Sequence, residues 1–195
     1  MDVSTTDPTP TPSQTVGPFF HLGCIDTHAV SCIAGSNARG ERVRLICQVL
    51  DGEGIPVNDA MIGIWQADSQ GRYNYPLDQA PDGSDPHCTG FGRLATDTNG
   101  FCIFETIKPG RVPADGGKLQ APHLNVSVFA RGVLKQLVTR IYFAGDPANQ
   151  ECPVLNLVPQ ERRSTLLARP NIHKPGDWHF AIHLCGEDET VFFDV

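Results

Sequence analysis

The sequence predicts an all-β protein: a two-sheet β-sandwich with long loops and one or two short helices. Three observations carry this. Short runs rich in Val, Ile, Leu and Phe recur along the chain, several of them alternating with period two. Turn signals separate them, among them Asp51-Gly52, Asn99-Gly100 and Lys108-Pro109-Gly110. Gly and Pro number 19 and 16 among 195 residues, without a period. That usage suits many short strands joined by many turns. The length fits one domain able to bury a core without disulfide staples.

The elements follow in order. Residues 8–18 carry four prolines, each lacking an N–H, so they neither pair as a central strand nor form a helix. Residues 1–20 are expected to form an extended arm, and Phe19 and Phe20 imply that it docks against something. Residues 21–195 form the sandwich. Residues 24–40 are a polar loop. Strands are expected at 42–50, 61–67, 93–97, 101–107, 124–129, 136–143 and 178–184, with 191–193 closing the chain, roughly eight in all. Asn99-Gly100 marks a hairpin between the third and fourth. Residues 72–91 form a long irregular loop of the kind that carries function or an interface. Asp146-Pro147 looks like a helix N-cap with a first-turn proline. A helical turn or two is expected over 160–168.

The formal charge is −7, which argues against a nucleic-acid surface because phosphate neutralisation needs a basic patch. No stretch reaches the apolar length of a membrane span. The first residues show no basic region followed by an apolar core, so a cytoplasmic protein is expected. Seven cysteines without a Cys-x-x-Cys pair read as buried free thiols rather than a zinc site or disulfide framework.

Nucleotide-binding, P-loop, serine-hydrolase and zinc-protease motifs are absent from the sequence. His179 and His183 share a strand face opposite Trp178, Phe180 and Ile182, about 13 Å apart and too far to share a metal. They read as surface or interface residues. His123 follows Ala121-Pro122 at a loop end, where a lone histidine is usually structural. Arg131 sits in Phe129-Ala-Arg-Gly132, either as a solvated turn residue or as a fork for a carboxylate.

One set of motifs has a family pattern. Asp51-Gly52-x-Gly54-x-Pro56-Val57-x-Asp59-Ala60 is followed by Trp65-Gln66-Ala67-Asp68-x-x-Gly71-x-Tyr73. Gly92-Arg93, Asp97-x-x-Gly100, Thr106-Ile-Lys-Pro-Gly110 and Pro122-His123 continue in order. This resembles the intradiol ring-cleavage dioxygenases from about residue 10 to the end. Thr11–Pro18, Phe129–Gly132, Cys152–Leu157 and Gly186–Asp194 bring it closer to the α subunits that some members pair with a catalytic β subunit. The resemblance implies a ferric ion held by two tyrosinates and two histidines, whose hard phenolate oxygens favour Fe(III), and cleavage of a catechol to a cis,cis-muconate.

By the same resemblance, the two tyrosine positions fall on Ala80 and Val112. His123 survives from the His-x-His element, whose second position is Asn125. The arginine that precedes this element in catalytic subunits aligns with Gln120. Three of the four ligands are therefore missing. The resemblance implies that Fe(III) resides in a partner β subunit, and that Thr15, Gly17, Pro18 and Arg131 line a pocket for a small aromatic diol. Arg131 would attract an anionic substrate. Two other readings stay open: a self-sufficient dioxygenase with unusual ligands, and a transthyretin-like binding or structural sandwich.

Overall fold

The computed structural model describes residues 29–75 and 83–194. Eight strands are present: β1 (Arg42–Leu50), β2 (Met61–Gln66), β3 (Phe91–Ala95), β4 (Phe101–Ile107), β5 (His123–Phe129), β6 (Leu137–Phe143), β7 (Leu167–Pro170) and β8 (Asp177–His183). Their spatial order is β3-β2-β5-β6-β7-β8-β1-β4. The β2–β3, β2–β5 and β5–β6 ladders are antiparallel and make one sheet, and antiparallel β4 and parallel β8 flank β1 in the other.

The sandwich core lies between the two sheets. Leu45, Cys47 and Val49 of β1 face Ile62 and Ile64 of β2, Leu124, Val126 and Val128 of β5, and Ile141 and Phe143 of β6. Period-two alternation puts each of these sets on one face of its strand. Fully burying such side chains stabilises by about 1.5–3 kcal/mol each. A second cluster covers the opposite face of β5 and β6. Tyr142 packs there with Ala121, Cys152, Leu155, Val158 and Leu166. β5 is therefore packed from both sides, and His123 and Leu124 are both buried.

Several expectations need correction. β3 and β4 flank the Asn99-Gly100 turn but do not pair as a hairpin; β3 pairs with β2 and β4 with β1. The turn itself is closed locally. Asp97 Oδ1 accepts from the Asn99 and Phe101 amides at 2.8 Å, and Gly100 has φ +75°. It carries the chain from one sheet to the other. His123 begins β5 instead of preceding it. Residues 191–193 form no strand. They make a single bridge, Val138 to Phe193, against the part of β6 that β7 does not reach.

β7 replaces the end of the expected helix at 160–168. The helical part is a 3-10 turn over Gln160–Leu166. β7 then pairs in parallel with β6 over two residues and antiparallel with β8 over two more, joining the sheets. On the other side, residues 30–34 close the gap between the edge strands. Val30 exchanges backbone hydrogen bonds with Arg93 of β3, while Glu105 of β4 bonds Ser31 and Ile33. Both sheet edges are thus covered, which removes unpaired strand edges from solvent. The Asp146 carboxylate accepts from Ala148 N at 2.9 Å, capping a 3-10 turn over Pro147–Gln150.

Cys47, Cys88, Cys102 and Cys152 are buried, whereas Cys32 and Cys185 are exposed. Cys24 and the arm lie outside the described residues. Among the described residues, no helix is long and apolar enough to cross a membrane.

One buried polar side chain ties the two sheets at the end where the loops gather. Gln66 at the end of β2 accepts from Thr106 Oγ1 of β4 at 2.6 Å and donates to the Ala67 and Ile107 carbonyls at 3.1 Å. Both Gln66 and Thr106 are fully buried. Replacing Gln66 by Leu leaves a buried hydroxyl and two carbonyls short of a partner. A loss of about 2–4 kcal/mol is expected from urea denaturation, and about 1–2 kcal/mol for Thr106→Val.

Candidate functional site

The family-like motif at residues 65–73 builds a frame before it builds any chemistry. Trp65 stacks on Tyr73, with ring centroids 5.8 Å apart. Asp68, buried, spends its carboxylate on backbone amides: Oδ1 accepts from Gln70 and Arg72, and Oδ2 accepts from Asp85 at 2.9 Å. Gly71 has φ +80°, and a Cβ there would lie 2.0 Å from the Arg111 carbonyl oxygen. Gly110 meets the same turn from the other side, and its amide donates to Asp68 O. Only glycine permits this contact between two backbones. The loop after β2 and the loop after β4 are locked together over β5 and β6.

The family resemblance assigns four positions to a metal. Ala80 falls outside the described residues. Val112 is buried and offers no donor atom. Asn125 is committed to the frame: its Nδ2 donates to Tyr73 Oη at 3.0 Å and to Trp65 O at 3.3 Å. His123 is buried, with Nδ1 2.8 Å from Ala121 O. A carbonyl only accepts, so Nδ1 carries the proton and Nε2 keeps the lone pair. That is the tautomer of a metal-binding histidine, but one imidazole among an amide and an isopropyl group does not make an iron site. Among the described residues, the donors at these positions do not fit a ferric ion. Tyr75 is 54% exposed, and among the described residues no cluster of three His, Cys, Asp or Glu could hold a metal.

The electrostatics match this arrangement. Burial pushes the His123 pKa down to about 4, with the nearby Arg140 cation acting in the same direction. Burial raises the phenol pKa of Tyr73, opposed by its Asn125 hydrogen bond, and that of Tyr142 further still. Both phenols stay neutral at physiological pH, and the Tyr142 ring lies 5.8 Å from that of His123. Arg140, the cross-strand partner of Asn125, donates from Nη1 to Gln120 Oε1 at 2.7 Å. The guanidinium at this site therefore comes from β6, a contribution that inspection of the loop sequence missed. Its period-two position beside Tyr142 and its pairing with β5 become visible only with the strand register.

Arg131 lies away from this cluster, in the turn after β5. Its side chain is 71% exposed and forms an ion pair with Asp59. His179 is exposed and His183 half-buried on the outer face of β8, with Phe180 and Ile182 facing the core. Thr15, Gly17 and Pro18 lie outside the described residues.

A two-sheet sandwich with two interlocked loops over the His123 end of one sheet defines an intradiol-type dioxygenase scaffold. A family model described as Dioxygenase matches residues 15–182. The chain belongs to the intradiol ring-cleavage dioxygenase family, which is iron-dependent. It is 44% identical to a protocatechuate 3,4-dioxygenase alpha chain of Burkholderia cepacia, covering 95% of this chain and 97% of that one. It is 41% identical to the alpha chain of Pseudomonas putida, over 94% and 96% of the two chains. The beta chain of Burkholderia cepacia is 35% identical, over 77% of this chain and 67% of that one. The solved hydroxyquinol 1,2-dioxygenase of Pseudomonas putida DLL-E4 superposes with TM-score 0.62 at 22% identity, covering 92% of this chain and 68% of that one. At that identity the likeness shows the fold.

The His123 pKa sets a pH dependence. The folded value, about 4, lies below the 6.5 of an accessible histidine, so between these values the unfolded chain binds the proton and the folded chain does not. This contribution is fully present above pH 6.5 and is lost progressively as pH falls toward 4, by about 3 kcal/mol at most. Urea denaturation at pH 7 and pH 4.5 should show a smaller drop for His123→Gln than for the unchanged chain. Equal drops would remove His123 as the cause.

Proposed function

We propose that this chain is the non-iron-binding α subunit of a cytoplasmic protocatechuate 3,4-dioxygenase. In this reading it completes the pocket of a catalytic β subunit, which holds Fe(III) and cleaves 3,4-dihydroxybenzoate with O₂ to 3-carboxy-cis,cis-muconate. The observation that carries the reading is the occupation of the metal positions by non-ligands in a chain that keeps the family frame. Val112 is buried hydrocarbon, and the Asn125 amide is spent on Tyr73 and Trp65. The two alpha-chain relatives, matched over almost their whole length, support it, as does the related beta chain.

The division of labour follows from the residues. The arm, residues 1–20, reaches from the sandwich (residues 21–195) to the partner's pocket, where Thr15, Gly17 and Pro18 line it. Gly17 lets the backbone come close to the ligand. Arg131 provides positive charge for the substrate carboxylate. Its present partner, Asp59, forms an exposed ion pair with it, and such pairs contribute about 0–1 kcal/mol. A carboxylate held in a desolvated pocket competes well for the same fork. The iron, in this reading, belongs to the β subunit, and no step of the ring cleavage runs through a group of this chain.

Iron content tests the division directly. The purified chain should be colourless and free of stoichiometric iron, and co-expression with its β partner should give a red-brown complex. Stoichiometric ferric iron in the isolated chain would overturn the reading. Within the complex, Arg131→Ala should raise the substrate KM about ten-fold with iron occupancy unchanged. Loss of iron together with the KM effect would count against a pocket role.

A further inference from the structure

The cation beside the filled metal positions has no anion. Arg140 is half-buried on β6, and its Nη1 donates to Gln120 Oε1 at 2.7 Å, which orients the guanidinium. None of the ion pairs among the described residues includes it, whereas the neighbouring Arg111 pairs with Glu151 and Lys108 with Asp146. A guanidinium withdrawn from bulk water without a carboxylate is an unbalanced charge, and such charges are usually met by an anion or by several acceptors.

Arg140 and Gln120 line a cleft of about 700 Å³ between the 113–120 loop and the 151–157 segment. Its charged groups are Arg140, Lys118, Asp115 and Glu151. Glu151 is engaged by Arg111, and Asp115 and Lys118 are both exposed at the mouth. That leaves Arg140 as the deeper, unneutralised charge. Val154 and Leu157 supply apolar surface opposite, and Leu157 is 81% exposed. Asn156 also lines the cleft and adds an uncharged polar group. A fixed guanidinium at the inner end and an aliphatic wall at the rim suit a small organic acid with a flat or apolar body.

We propose that this cleft is a binding site for a small organic carboxylate, with Arg140 as the charge that holds it and Gln120 as the residue that orients Arg140. The carboxylate takes the guanidinium N–H groups that Gln120 leaves over, and the body of the acid lies on Val154 and Leu157. The chain has filled its metal positions with hydrocarbon and amide yet retains, one strand away, a fixed positive charge facing a cleft. The site requires neither the iron nor the partner, so the two proposals stand or fall separately.

The test is a titration of the isolated full-length chain with 4-fluorobenzoate, followed by ¹⁹F NMR, with 4-fluorobenzyl alcohol as the uncharged control. The acid should bind with a Kd in the millimolar range or tighter and the alcohol should not bind. Arg140→Gln keeps an amide that can pair with Gln120 and should weaken the acid at least ten-fold. Arg140→Lys keeps the charge and should lose less. Circular dichroism confirms that each variant is folded. The proposal is overturned by absence of binding to the unchanged chain, by equal binding of the alcohol, or by unchanged affinity in Arg140→Gln.

Discussion

The architecture depends on keeping two backbones in contact at the loop end of the sandwich. Gln66 stitches β2 to β4 through two buried hydrogen bonds, and Asp68 gathers the following turn through its carboxylate. Gly71 and Gly110 then touch where no side chain fits. Each of these residues belongs to the family-like motifs, and each has a structural task. The motif residues are therefore needed for the frame independently of any metal. The motif encodes the frame, and the frame is needed by any chain that must present the same surface, whether or not it holds iron.

The positions that the family resemblance assigns to a metal have structural tasks in this chain. Asn125 is a bracket between Tyr73 and Trp65, and Val112 is part of the buried interior. His123 Nδ1 donates to the Ala121 carbonyl, and burial holds the ring neutral. A neutral imidazole and two neutral phenols leave Arg140 as the charged group of the site.

Much of the strand pattern was legible in the sequence. β1 and β4 appear at their expected limits because their runs are long, apolar and bounded by strong turn residues. The hairpin failed for an instructive reason. Asn99-Gly100 does reverse the chain, but a turn does not choose a partner strand, and β1 offered β4 a ladder of seven residue pairs. β7 was invisible because its pairing is shared between two neighbours, two residues each, and leaves no alternation in Leu-Ala-Arg-Pro. The end segment 191–193 looked like a strand by composition, yet only one bridge is available to it.

Local chemistry determined what the sequence alone could settle. Period-two patterning gave the faces of the strands, and the residues at the positions that the family resemblance assigns to a metal, Ala80, Val112 and Asn125, are not Tyr or His whatever the fold. The tertiary structure decided everything that depends on long-range pairing: the crossing of the 97–101 turn between sheets, the closure of both edges by 30–34 and β7, and the placing of Arg140 beside Gln120. The physical reason is register. A strand's own sequence says which residues share a face, but which charge meets which partner across that face is set by the neighbouring strand, and Asn125 faces Arg140 only because β5 and β6 align as they do.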